Sequence, residues 1–230
     1  MPERRKSMEI MEAIRSRRSI RGFKTDPVPK KVIEEILDKC RWVPSSRNQQ
    51  SWEFAILGEP VMDKLKALLA EKIKAKEKEN PDLPAFELPE PYLRRANDLR
   101  DRIDRHQFPP RTDGIDDKRA EYWIKGGCFY DAPNAIVLYT EKALGPKAIF
   151  DGGIMAQTIA LAALEYGLGT CITIRPMNWP DMLREMLGIP ESKLILVAIA
   201  IGYPDPGALV NTYERNRDPL SAFVHWHGFD

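Results

Sequence analysis

The chain predicts a layered fold of mixed helices and strands, α/β or α+β, organised as a single domain over residues 1–230. Three observations carry that expectation. Segments with apolar residues at helical spacing alternate with short runs rich in β-branched residues. Residues 193–202 are almost continuously apolar, as in a strand covered on both faces. Residues 148–166 are apolar nearly all round, as in a helix buried within a domain or between subunits. With 230 residues, 43% of them hydrophobic, the chain can bury a core of that kind.

The elements follow in order. Residues 8–18 read as a short helix with Met8, Met11 and Ile14 on one face. Asp26-Pro27-Val28-Pro29 reads as a turn, with Pro29 suited to the first position of a second helix, where its missing N–H costs nothing. Val32, Ile33, Ile36, Leu37 and Cys40 form that helix's stripe. Residues 52–57 read as a strand stopped by Gly58-Glu59-Pro60, and Val61, Leu65, Leu68, Leu69 and Ile73 mark a third helix. From about 74 to 120 charge is dense, proline recurs and apolar residues thin out. This reads as an insertion carrying one charged helix over about 91–106, either a solvated excursion or a lid over a site. Beyond it come a strand over 134–140, the apolar helix over 148–166 and a strand over 168–174. A short helix over 181–187 and the long strand over 193–202 complete the pattern. The tail holds Trp226 and Phe229, aromatic side chains that need a surface to pack on.

Several functions are excluded early. A net charge of +1 leaves no surplus cations to displace counterions from nucleic acid, so no nucleic-acid partner is expected. Residues 154–174 approach the length of a membrane span, but Glu165 interrupts them. Gly167 and Gly169 split them into helix and strand, so no membrane partner is expected. Cys40, Cys128 and Cys171 are odd in number and far apart, with no C-x-x-C spacing, which argues against a disulfide framework or a zinc site. His225-Trp226-His227 offers two ligands and no carboxylate, too few for a metal site. The charged start is followed by no signal-like apolar stretch, and a cytoplasmic location is expected. There is no phosphate loop, no complete dinucleotide fingerprint, no G-x-S-x-G and no H-E-x-x-H. A cofactor is then the natural carrier of the chemistry.

Two stretches fit one. Arg17-Arg18-Ser19-Ile20-Arg21-Gly22-Phe23 packs three guanidiniums into five positions beside a hydroxyl. Alone, such a cluster fits either an anion site or a solvated basic face. Arg215-Asn216-Arg217, near the other end of the chain, could clamp the same anion from the opposite side. Pro44-Ser45-Ser46-Arg47-Asn48-Gln49-Gln50-Ser51-Trp52 lines up hydroxyls and amides ahead of an apolar strand. Together these offer cations for a phosphate and neutral donors and acceptors for a sugar chain and a ring edge.

In order and spacing these stretches resemble the FMN-dependent nitroreductase family. The resemblance extends through Gly167-Leu168-Gly169-Thr170, Pro176-Met177-Asn178, Ile201-Gly202-Tyr203-Pro204 and Arg215-x-Arg217-x-Pro219-Leu220, nearly the whole chain apart from the charged insertion. It implies a nitroreductase-like α+β layered sandwich, a central, mostly antiparallel sheet flanked by helices, in an intertwined homodimer with two FMN sites at its interface. The helix over 148–166 would form the dimer core and the tail would wrap the neighbouring subunit. Arg17, Arg18, Arg21, Arg215 and Arg217 would hold the phosphate, and Ser19 the ribityl chain. Ser45, Ser46 and Asn48 would reach the ribityl chain and ring from the other subunit, with Gln50 part of the same motif. Pro176, Met177 and Asn178 would lie against the ring, with Gly169 and Thr170 nearby. Arg21 and Arg47 both qualify to stabilise the reduced ring's pyrimidine edge. One departure is Ser51, where the family usually has proline.

The implied activity is flavin-centred, with no dedicated catalytic side chain. NADH or NADPH delivers hydride and leaves, and a nitroaromatic, quinone or related small electrophile takes the electrons in a ping-pong order. Two alternatives stand beside it. Trp123-Ile124-Lys125 ahead of Asp131-Ala132-Pro133 resembles the iodotyrosine deiodinase branch, where a lid lysine grips the substrate. Lys125 matches it, while Arg102, Asp104 and Arg105 stand where that branch has a glutamate and a tyrosine. The other alternative is a non-catalytic flavin-binding or storage protein.

Overall fold

A computed structural model describes residues 8–108 and 115–229 of the chain. Strands β1 (Trp52–Leu57), β2 (Asn134–Glu141), β3 (Gly169–Thr173) and β4 (Lys193–Gly202) form an antiparallel sheet in the order β1-β2-β4-β3. The helices are α1 (Ile10–Ser16), α2 (Lys30–Cys40), α3 (Val61–Lys74), α4 (Glu90–Gln107), α5 (Ile115–Gly127), α6 (Pro146–Ala162) and α7 (Pro180–Leu187). The expected α+β sandwich is the observed fold class.

Alternation along the central strands builds two cores. Ala135, Val137, Ala198 and Ala200 point to one face, where their small side chains leave room for Leu65 and Leu69 of α3, Phe129 and Leu183 of α7. Ile136, Leu138, Ile199 and Ile201 point to the other, against Ile33 and Ile36 of α2 and Met155 and Ile159 of α6. Burial on both faces explains why β4 carries no polar alternation. Helix α6 buries Ala148, Asp151, Gly152, Met155, Ala156 and Ile159, the spacing of a single helical stripe. Gly152 lets it close on β4, since a Cβ there would meet Leu196 Cδ1 at 2.5 Å. The apolar run ends where Gly167 adopts φ +69°, a left-handed stop, and β3 begins two residues later.

Four local expectations are corrected. Helix α5 occupies part of the stretch read as the end of the insertion, because its Lys, Asp and Glu residues hid the apolar positions Tyr122 and Ile124 that pack inward. Pro29 sits at the N-cap of α2 with ψ 136°, one place before the helix. Residues 26–29 form no turn: the buried Asn134 side chain accepts from Val28 N at 2.7 Å and pins the segment to the sheet. Helix α1 is shorter than expected and buries no residue of its own, so Met11 and Ile14 are exposed.

Candidate functional site

The site begins where the N-terminal segment meets the sheet edge. Ser19 bridges Thr170 in parallel, and Ile20 N donates to Thr170 O at 2.9 Å. Gly169 is required here, because a Cβ would stand 2.5 Å from Ile20 Cγ1. This docking fixes Arg17, Arg18 and Arg21 on one flank of a cavity of about 390 Å³, whose opposite flank carries Arg215 and Arg217. The two arginine clusters, separated by most of the sequence, therefore meet.

Contacts between the flanks are specific. Arg18 Nη2 donates to Tyr213 O at 2.6 Å, and its guanidinium lies 4.9 Å from the Tyr213 ring centroid. Arg21 Nη1 donates to the Tyr213 hydroxyl at 3.1 Å. Asn211 Oδ1 accepts from Arg21 N at 2.9 Å and Gly22 N at 3.2 Å. Arg215 donates to the carbonyls of Arg15 and Arg17, and Arg17 Nη2 donates to Gln157 Oε1 of α6 at 2.9 Å.

The electrostatics leave this assembly short of negative charge. Burial, then the charges of Arg215 and Arg217, pull the Arg17 pKa below the ordinary arginine value. Burial likewise lowers Arg18, with Arg215 adding to it. Arg21 goes the other way: burial opposes its charge, but attraction to the ionised forms of Cys171, Tyr130, Tyr213 and Tyr122 outweighs it, so the guanidinium keeps its proton through their titration. Arg18 Nε is buried with no hydrogen-bond partner. An unpaired buried donor among crowded cations is a standing cost that an anion removes.

The other expected residues fall into separate groups. Ser45 and Ser46 line a different cavity, of about 560 Å³, with Phe150 and Asp151 of α6. Asn48 and Gln50 lie on the same loop, exposed, and Arg47, Asn48 and Gln50 all have positive φ. Asp151, 2% exposed, accepts from Ser46 N through both oxygens at 3.2 and 3.1 Å, and the Ser51 hydroxyl reaches it at 3.5 Å. That contact gives Ser51 a task proline could not perform. Pro176 and Met177 are buried, Met177 in the core, while Asn178 O accepts from Asn80 N at 2.9 Å. Lys125 lines a third cavity of about 390 Å³ that Arg21 shares, and it pairs with Asp131 at 2.9 Å. Arg102 is engaged by Asp98 at 2.9 Å and Asp104 by Arg119 at 2.8 Å. Phe129, Tyr130 and Asp131 run through positive φ in succession and set Tyr130 against Arg21, 5.7 Å from guanidinium to ring centroid. Left-handed non-glycine residues cost about 1–3 kcal/mol each and collect at functional sites.

Sequence reading missed Asn211, Tyr213, Gln157 and Asp151. The first two carried no signal: Thr212, Glu214 and Asn216 between them and the arginines are equally polar, so no alternation marks the face turned to the site. Gln157 and Asp151 sit inside an apolar helix, and that context favoured a purely structural reading.

A family model described as the Nitroreductase family matches residues 14–203. A 4-nitrobenzoate reductase of Pseudomonas putida is 30% identical over 224 residues, covering 94% of this chain and 95% of that one. Iodotyrosine deiodinase 1 of Rattus norvegicus is 27% identical over 92% of this chain and 68% of its own length. Among solved structures, the FMN-dependent nitroreductase NfnB from Mycobacterium smegmatis, in complex with NADPH, superposes with a TM-score of 0.86 at 26% identity, covering 94% of this chain and 97% of that one.

Proposed function

The chain belongs to the nitroreductase family, and from that premise we propose that it is an FMN-dependent NAD(P)H oxidoreductase acting on nitroaromatic or related small electrophiles in a homodimer. The observation that carries the proposal is the arginine crevice, with Arg18 Nε buried and unpaired inside it. Its donor set suits a phosphate dianion, which accepts several charge-assisted hydrogen bonds at once.

Arg17, Arg18, Arg215 and Arg217 would hold the FMN phosphate, with Ser19 at the ribityl chain and Thr170 behind it on β3. Bound FMN supplies two-electron chemistry between a nicotinamide donor and an oxidising substrate. Arg21 is the cation held between the crevice and the cavity carrying Lys125, Tyr122 and Tyr130. It is placed to stabilise negative charge on a ring bound across both, whereas Arg47 is exposed on the separate Ser45–Gln50 loop. Ser45, Ser46, Asn48 and Gln50 do not line the crevice of their own chain, which supports delivery of this loop to the cofactor of a second copy. The relatives' names support nitroaromatics as substrates, and the NfnB structure in complex with NADPH supports NADPH as donor. The charged stretch over 74–120, of which 109–114 lie outside the described residues, would cover the substrate, and a cytoplasmic location accords with three free cysteines.

The test is anaerobic. The purified protein, yellow with FMN, should bleach on addition of NADPH and regain its colour on addition of 4-nitrobenzoate. Persistent colour with both NADPH and NADH would leave flavin storage as the better reading. Colour recovery with iodotyrosine but not with nitroaromatics would select the dehalogenase.

A further inference from the structure

We propose that α4 belongs to the cofactor-binding machinery: Arg94 and Arg95 form a third wall of the arginine crevice and bind the same phosphate that Arg18, Arg215 and Arg217 hold. The proposal rests on the FMN reading above and assigns the charged insertion a role in cofactor retention, beyond covering the substrate.

The first observation is placement. Arg94 and Arg95 line the same cavity as the two arginine clusters. Between them stands one carboxylate, Asp218, whose Oδ2 meets Arg95 Nε at 2.7 Å and Arg94 Nη2 at 3.9 Å. Asp98, the other acid lining the cavity, is taken by Arg102 at 2.9 Å, so Asp218 alone stands against the two guanidiniums and positive charge remains on this wall. Arg95 is also held from the side, 5.3 Å from the Phe223 ring centroid and 5.5 Å from that of Tyr92. Its guanidinium is presented rather than free to wander.

The second observation is register. Helix α4 runs antiparallel to the segment carrying Arg215 and Arg217. His106 Nε2 lies 2.8 Å from Thr212 Oγ1, Arg102 Nη1 lies 4.0 Å from Glu214 Oε2, Asn216 Nδ2 donates to Asp98 Oδ2 at 3.1 Å, and Arg95 meets Asp218. Steps of three or four residues on the helix match steps of two on the segment. The geometry allows it, because a helical turn advances about 5.4 Å and two extended residues about 6.6 Å. Even-numbered side chains therefore zip onto α4, while Tyr213 and Arg215 turn to the N-terminal arginines. The C-terminal arginines lie on a strip gripped from both sides, and α4 supplies one grip and two more cations.

The experiment compares FMN with riboflavin, which lacks the phosphate, by titrating each into full-length apoprotein and following flavin fluorescence. The wild-type protein should prefer FMN strongly. In the Arg94→Gln/Arg95→Gln variant the Kd for FMN should rise roughly tenfold, with riboflavin affinity unchanged. Arg94→Lys/Arg95→Lys, which keeps the charge, should recover most of the loss. An equal fall in affinity for FMN and riboflavin would show that α4 only packs, and would overturn the proposal. So would unchanged FMN affinity, including the case where only the KM for NADPH rises. A wild-type protein indifferent to the phosphate would refute the FMN reading itself, and the clamp with it.

Discussion

Arg18 concentrates the electrostatic tension of the molecule. It donates to a carbonyl, lies over a tyrosine ring and still leaves Nε buried and unpaired. Arg18→Gln removes the charge but keeps much of the volume. FMN affinity should fall by about 1.5–3 kcal/mol, the worth of a charge-assisted contact, read from the Kd in a fluorescence titration. The three thiols behave in the opposite way. Burial pushes Cys40 and Cys128 up to about 11 and raises Cys171 as well. An acid whose folded pKa is raised stays protonated in the native state while the unfolded chain ionises, so stability is full below about pH 9 and is lost as pH rises towards 11. Thermal melts should show a falling midpoint across that window, shallower in Cys40→Ser. Alkylation of the native protein at pH 8 should be slow and should become rapid on unfolding.

Helices and strands were legible wherever burial imposed a period. The six residues of β1 and the ten of β4 appear where their patterns end, and α3 and α7 deviate by a residue. Helix α5 was not legible, because only Tyr122 and Ile124 mark its inward face, one in the cluster with Val210 and Tyr213 and the other on the main core, while Lys, Asp and Glu dominate its composition. The arginine clusters were legible as chemistry; their convergence was not, since it depends on Ser19 docking at Thr170. Asp151 illustrates the remainder. A buried acid in an apolar helix tells nothing until the loop above it is seen, with Ser46 N donating to its carboxylate and three left-handed residues following. Asp151→Ala should lower stability by about 1.5–3 kcal/mol, a midpoint shift of roughly 3–12 °C at this chain length. FMN affinity should fall further than in Asp151→Asn, which retains an acceptor. Equal melting and equal binding across the pair would show that the carboxylate does not shape the loop.

The whole molecule points beyond one chain. Phe150 on α6 is 71% exposed, Ile174 59% and Trp226 67%, and Trp226 touches Phe229 edge-to-face at the end of the described tail. Of these, Phe150 lines the cavity of Ser45 and Ser46, and exposed apolar surface there supports the proposed homodimer. Light scattering should give twice the 26.3 kDa of one chain, and Phe150→Asp should yield monomers that lose FMN along with the interface. If cations from the two ends of the polypeptide close on one phosphate, a crystal structure of the protein grown with FMN will show it. The phosphate should lie between Arg17 and Arg18 on one side and Arg215 and Arg217 on the other, with Arg18 Nε donating to it. A phosphate bound elsewhere, with that crevice holding only solvent, would contradict it.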